Sequence, residues 1–289
     1  MPGSGWRLGW WAPLPPALDP GDLIDPAVHG ALLAAAAGGA PLDRLGQHRL
    51  EVLKGAGLAT ADGRPRFPVA AAEQAKAVRV AAADLGGTMA RLLAGEWSRF
   101  EVEYEPVHAT VAGRGGPTAA FLVVGGLLLD LGVRRLLRRQ GLAAPPFGSA
   151  FVWLAEGEGA AGTWFSRVTA LPGRGWLVRF GRPATPAWDL ASAEPEAAPA
   201  LPSGREAALR ELCEALGWSV VRLVEDALPA LDPLRRRVPG GEDDGAFLAW
   251  AYSLAVDEAL EGLAARGLVA APADGVVAVR VTDPALAGM

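Results

Sequence analysis

Apolar positions along the chain fall first at helical spacing and then at alternating spacing, and the change of period divides it. After Asp25 and Pro26, the run AVHGALLAAAAGG has a start signal and a Gly-Gly stop and predicts a first helix. Beyond PLDRLG, Gln47 to Ala56 places Leu50 and Leu53 on one face, with Gly57 set to end the helix. Leu58 opens a short strand, Asp62-Gly63 supplies a turn, and Phe67 and Val69 alternate on the return strand. Residues 71–98 put Val78, Ala81, Ala82, Leu85, Met89, Leu92 and Leu93 at helical spacing, which predicts one long helix containing Gly86-Gly87. Thr118 to Leu142 predicts a further helix ending in an arginine-rich turn. Its most apolar run, Ala119 to Leu129, stops at Asp130. That is short of the ~20 residues that span a bilayer, so the reading is a buried helix and no membrane partner.

The texture then changes. FVWLAEG, GTWFSRV and GWLVRFG are short aromatic runs between Gly and Pro turns, and they predict an antiparallel meander. In the last run Trp176, Val178 and Phe180 fall on one face, Leu177 and Arg179 on the other, as in a half-buried strand. Residues 183–204 are rich in Pro and Ala and read as a linker; a helical C-terminal unit follows from about Arg205. Near the end, EALEGLAARGLVAAPADGVVAVRV echoes the earlier helix and hairpin. Leu260, Leu263, Gly267 and Leu268 correspond to Leu50, Leu53, Gly57 and Leu58, and Arg138 to Leu142 carries a fainter version. The first residues, MPGSGWRLGWWAPLPPALDPGD, have prolines and tryptophans where a signal peptide has an unbroken apolar core, and they read as an irregular leader.

A chain of 289 residues with 51% hydrophobic content is long enough for two or three compact units. Cys213 is the single cysteine, which excludes an intramolecular disulfide and a multi-cysteine zinc site and fits a reducing, cytoplasmic setting. The net charge of −5 disfavours a nucleic-acid surface over the whole chain. A small reading head can still be basic, and between residues 26 and 70 Arg44, Arg49, Lys54, Arg64 and Arg66 stand against Asp43, Glu51 and Asp62.

With those elements in place, HRLEVLKGAGLATADGRPRF, His48 to Phe67, resembles the recognition helix, Gly-Leu stop and wing of ArsR- and MarR-type winged helix-turn-helix transcriptional regulators. The family's second helix is fuller than PLDRLG. The resemblance implies double-stranded DNA as partner, with Gln47, His48, Arg49 and Lys54 at the groove or phosphates and Arg64 and Arg66 on the wing. The expected architecture is α+β. It comprises a winged-helix module (25–70), a connecting and dimerisation helix (71–105), a central α+β sensing or interaction domain (106–182), a linker (183–204) and a C-terminal helical unit ending in a winged-helix-like hairpin (205–289). The expected function is a DNA-binding regulator, homodimeric through the helix over 71–98. Its small-molecule effector would sit against Trp153, Trp164 and Trp176, which otherwise are plain core. The alternative is a winged-helix interaction or assembly module that binds partner proteins and never touches DNA.

Other patterns carry weaker chemistry. DLGGT, Asp84 to Thr88, resembles the first phosphate loop of sugar kinases and of related repressors, which would make a phosphate-handling enzyme; that loop needs a flanking strand, whereas the residues here have helical spacing. Arg134, Arg135, Arg138 and Arg139 suit the carbonyl end of their helix, or could hold a phosphate or carboxylate. Arg235 to Arg237 precede Glu242, Asp243 and Asp244, which suggests self-compensation. Glu101, Glu103 and Glu105 would share a face if extended, near His108. With His29, His48 and His108 far apart and neither a G-x-S-x-G elbow nor a Walker loop, no catalytic residue, metal ligand or cofactor is assigned.

Overall fold

The computed structural model describes residues 5–12, 24, 28, 31–32, 46–102, 116–129, 136, 139–140, 151–157, 164–181, 200–201, 203–240, 244–271 and 276–287. Helices and strands are mixed, as expected for an α+β chain. The chain divides into two compact units, each assembled from three separate segments. The first takes Met1–Ala82, Gly141–Thr163 and Ala227–Leu254; the second takes Ala83–Gln140, Trp164–Asp226 and Ala255–Met289. No helix among the described residues is long and apolar enough to cross a membrane.

In the first unit, strand β1 (Trp6–Ala12) pairs antiparallel with β3 (Phe151–Glu156), Gly9 opposite Trp153 and Trp11 opposite Phe151. Strand β2 (Val69–Ala70) lies parallel on the other side of β3, Val69 opposite Leu154. Phe151 to Ala155 are all buried, so β3 has both faces covered and reads as a continuous apolar run with no alternation. The N-terminal residues thus form a strand with buried Trp10 and Trp11, not an irregular leader: WRLGWWA has the aromatic and branched side chains a sheet accepts, and Trp11 stacks on Phe151 at 5.8 Å. Gly9 is required there, because a Cβ would lie 2.1 Å from Nε1 of Trp153. Helix α1 (Gln47–Gly55) precedes β2, and helix α2 (Ala72–Gly95) follows it. Of the first predicted helix, Val28, Ala31 and Leu32 are helical, with Val28 and Leu32 buried; the rest of that stretch lies outside the described residues.

In the second unit, helix α3 (Gly116–Phe121) continues as a π-helix, Leu122–Leu129, in which every residue is buried. Strands β4 (Trp164–Leu171) and β5 (Gly175–Gly181) form an antiparallel hairpin, and β6 (Val276–Val281) pairs antiparallel with β5. The meander expected of the three aromatic runs therefore holds for two of them; the first run, β3, belongs to the other unit and pairs with β1 and β2. As the central strand, β5 is buried on both faces, Leu177, Val178, Arg179 and Phe180 alike, and is not half-buried as its alternation suggests. Phe180 fills the space beside Gly125, where a Cβ would stand 2.2 Å from its ring. Helices α4 (Ser203–Arg235) and α5 (Asp244–Ala264) are the long helices of the C-terminal part, and the boundaries between units fall inside α2, α4 and α5.

The DLGGT motif finds its structural explanation in the second unit. Asp84 to Thr88 is the middle of α2, residues 77–83 are helical and no strand flanks them, so the phosphate-loop reading is overturned. Gly86 lets α2 approach α5: a Cβ at this position would lie 2.4 Å from the carbonyl oxygen of Ala255, and at Gly262 a Cβ would touch that of Ala90. The Thr88 hydroxyl donates to the Asp84 carbonyl oxygen at 2.9 Å and accepts from Arg91.

Candidate interaction site

Helix α1 and the hairpin behind it hold all six residues that the winged-helix resemblance singles out. Leu53 is buried and Leu50 half-buried, while Gln47, His48, Arg49 and Glu51 are exposed. The helix ends on Gly57, whose φ of +73° only glycine adopts freely. There the Gly57 N–H donates to the Lys54 carbonyl at 2.9 Å and the Leu58 N–H to the Leu53 carbonyl at 2.8 Å, and buried Leu53 and Leu58 flank the turn.

The hairpin is closed by backbone and side-chain bonds together. Arg66 N–H donates to Leu58 O at 2.9 Å, Thr60 N–H to Arg64 O at 2.8 Å and Gly63 N–H to Thr60 O at 2.9 Å, with Gly63 at φ +80°. This is a short loop whose last residue needs the left-handed region, which the Asp-Gly pair supplies. The Thr60 hydroxyl donates to the Asp62 carboxylate and accepts the Arg64 N–H at 2.8 Å. That hydroxyl bond first, and the nearby Arg64 and Lys54 charges after it, hold the Asp62 carboxyl below its usual range.

The base of the hairpin is fixed within the first unit. Phe67 is fully buried, and Gly240, at φ +71°, sits so close that a Cβ would lie 2.0 Å from the Phe67 carbonyl oxygen. Val69 N–H donates to Pro239 O, and Leu154 N–H to Pro68 O, both at 2.9 Å. Gln74 caps the start of α2 by accepting from Ala71 N–H and reaches the Arg237 carbonyl with its amide at 2.6 Å. The return strand thus leaves its own hairpin after the single Ala59–Pro65 bridge and joins β3 in parallel.

The charge of this edge is mixed. Lys54 Nζ is 3.0 Å from Glu51 Oε1, and Arg64 Nε is 3.1 Å from Asp62 Oδ2. Arg49 and Arg66 are exposed beside them, and Arg49 has interactions of its own. A phosphate approaching Lys54 or Arg64 would therefore meet a carboxylate at the same place and have to displace it.

The remaining expected sites are more scattered. Trp153 is completely buried in the first unit. Trp176 is half-buried in the second, and Trp164 begins β4 there with its side chain outside the described residues. The apolar stripe of α2 that suggested dimerisation is covered within the chain: Ala75, Val78 and Ala82 are buried in the first unit and Leu85, Met89 and Leu93 in the second. The exposed positions of α2 are Ala72, Glu73, Lys76, Arg79, Val80, Asp84, Arg91 and Gly95. Asp232 pairs with Arg235 at 2.7 Å and with Arg236 at 2.5 Å; of the acidic run after them, Glu242 and Asp243 lie outside the described residues. Glu101 is helical, so it does not alternate as in a strand; Glu103, Glu105, His29 and His108 lie outside the described residues, as do Arg134, Arg135 and Arg138. Among the described residues no group of three His, Cys, Asp or Glu side chains is placed to hold a metal ion.

Sequence reasoning missed β1 and the Phe67–Gly240 contact. Alternation of bulky side chains in WRLGWWA could have revealed the first; the second joins residues far apart in sequence and left no local signal. Compared with known proteins, the chain matches no family model, no curated protein and no solved structure.

Proposed function

We propose that this chain is a protein-interaction or assembly module in which α1 and its hairpin meet a partner protein. The observation that carries this reading is the pairing of Lys54 with Glu51 and of Arg64 with Asp62. Lys54 and Arg64 each stand beside a carboxylate, so the edge offers both signs of charge in place of a phosphate-binding stripe. The hairpin tip, stapled by Thr60 and held at its base by Gly240, is preorganised for a fixed contact.

The competing reading, a DNA-binding regulator, draws on exposed Gln47, His48, Arg49 and Arg66, and one pair of experiments separates the two. Binding to random duplex DNA is measured across a salt series for the wild type and for Arg49→Ala/Lys54→Ala/Arg64→Ala. In parallel, a photocrosslinking residue replaces exposed His48 in the host cell. The interaction module gives crosslinks to a discrete protein and DNA binding that the triple variant leaves unchanged. A salt slope that falls by ~0.9 per removed phosphate contact, with crosslinks to DNA, would sink it.

A further inference from the structure

On α4, in the second unit, Trp218 is 42% exposed, an unusual position for so large a ring. Its ring is not simply left in water. The Arg139 guanidinium lies over it at 5.7 Å from the centroid, within the range of a cation–π contact, and is fixed by Glu225 Oε1 at 2.7 Å from Arg139 Nε. The Gln140 amide reaches the same carboxylate at 3.5 Å. Glu225 is seven residues beyond Trp218 on the same helix face, so α4 supplies both the ring and the carboxylate that positions the cation above it.

Along α4 itself the charges near Trp218 are mainly acidic. Glu211 and Glu214 precede Trp218 by two turns and one turn, and Asp226 follows it by two. With Glu225 engaged by Arg139, these three carboxylates stand on that face against Arg222. Tryptophan and arginine are the residue types that dominate binding energy at protein interfaces, above all when their rotamers are already fixed.

We propose that Trp218 and Arg139 form the centre of a docking surface for a partner protein that presents an apolar side chain flanked by lysine or arginine. The apolar side chain packs on the open part of the indole, and the flanking cations face Glu211, Glu214 and Asp226. This surface is independent of the α1 hairpin, and its test does not depend on the reading given to that hairpin.

The full-length chain is panned against a random dodecapeptide library, and enriched peptides are resynthesised and titrated by fluorescence anisotropy. The surface is supported if the peptides carry an apolar residue between lysines or arginines, if Trp218→Ala weakens them about tenfold or more, and if Trp218→Phe recovers part of the loss. Glu211→Gln/Asp226→Asn should then flatten the salt dependence. Perturbation of the Trp218 indole N–H resonance in the unmodified protein gives the same answer should a variant fail to fold. Peptides without basic residues, an affinity unchanged by Trp218→Ala, an unperturbed Trp218 resonance, or no enriched peptide at all would overturn the proposal. A homodimer in sedimentation that Trp218→Ala dissociates would overturn it too, by giving the face to a second copy of the chain.

Discussion

Asp62 and Asp232 show how a single surface carboxylate can report a local arrangement. The Thr60 hydroxyl is the main cause of the lowered Asp62 pKa, with Arg64 and Lys54 adding charge; for Asp232 the main cause is the hydrogen bond from Arg235, followed by the charges of Arg236 and Arg235. Because both groups are lowered in the folded state, any stability they lend is present above the ordinary carboxylate value of 3.8 and is lost as pH falls through the lower folded value. Screening by solvent keeps that increment small. The measurement is a carbon-detected NMR titration of the Asp62 carboxyl. The wild type should titrate below 3.8, and Thr60→Val should move the midpoint up towards it. A midpoint that Thr60→Val leaves in place would remove the hydroxyl from the account of the hairpin tip and leave the shift to the backbone bond and the Arg64 and Lys54 charges.

At the scale of elements, the two glycines of α2 make opposite predictions from one helix. In a helix interior Gly→Ala ordinarily gains ~1 kcal/mol from backbone entropy. Gly87 has only the far end of the Arg91 side chain near, at 3.7 Å, so Gly87→Ala should gain close to that amount. At Gly86 the new methyl would lie 2.4 Å from the Ala255 carbonyl oxygen and 2.7 Å from the Glu258 Cβ, so Gly86→Ala should lose ~1–3 kcal/mol through overpacking. Urea denaturation of both variants checks the pair; equal stabilisation would mean that α2 and α5 do not approach so closely. The helix was legible in the sequence because its apolar spacing, Val78 to Leu93, matches its buried face. The Gly-Leu stops were legible too: Gly57 and Gly267 share φ near +72°, and Leu268 N–H donates to Leu263 O at 3.1 Å as Leu58 does to Leu53. Beyond the caps the echo ends, since β2 runs parallel to β3 whereas β6 runs antiparallel to β5. Strand pairing depends on distant partners, and a local pattern of alternation does not name them. The same holds for the candidate site: the positions of α1 and its turn could be read from leucines, Gly57 and Asp62-Gly63, but the Lys54–Glu51 and Arg64–Asp62 pairs that decide its charge needed coordinates.

For the molecule as a whole, the decisive property is that neither compact unit is continuous in sequence. A module confined to residues 25–70 is the natural reading of helices, turns and hairpins taken in order, because local signals carry no information about which later segment covers which earlier one. In the structure, that segment relies on chain that comes much later. Phe67 and Val69 are held by Pro239 and Gly240, and Val69 and Ala70 complete their hydrogen bonding on Leu154 and Ala155 of β3. Cut away from these, β2 would expose unpaired backbone and Phe67 would lose its burial. The rest of the excised segment, fewer than fifty residues, has too small a core of its own to offset the entropy of ordering it. Residues 25–70 expressed alone should therefore give a collapsed amide proton spectrum and rapid proteolysis, while the full chain gives dispersed resonances from Leu53, Leu58 and Phe67. If the fragment instead shows the full-chain shifts for the α1 cap and the hairpin, the segment is an autonomous domain. In that case the later-chain contacts would add to a module already folded, and a free-standing winged helix would regain its standing against the assembly module proposed above.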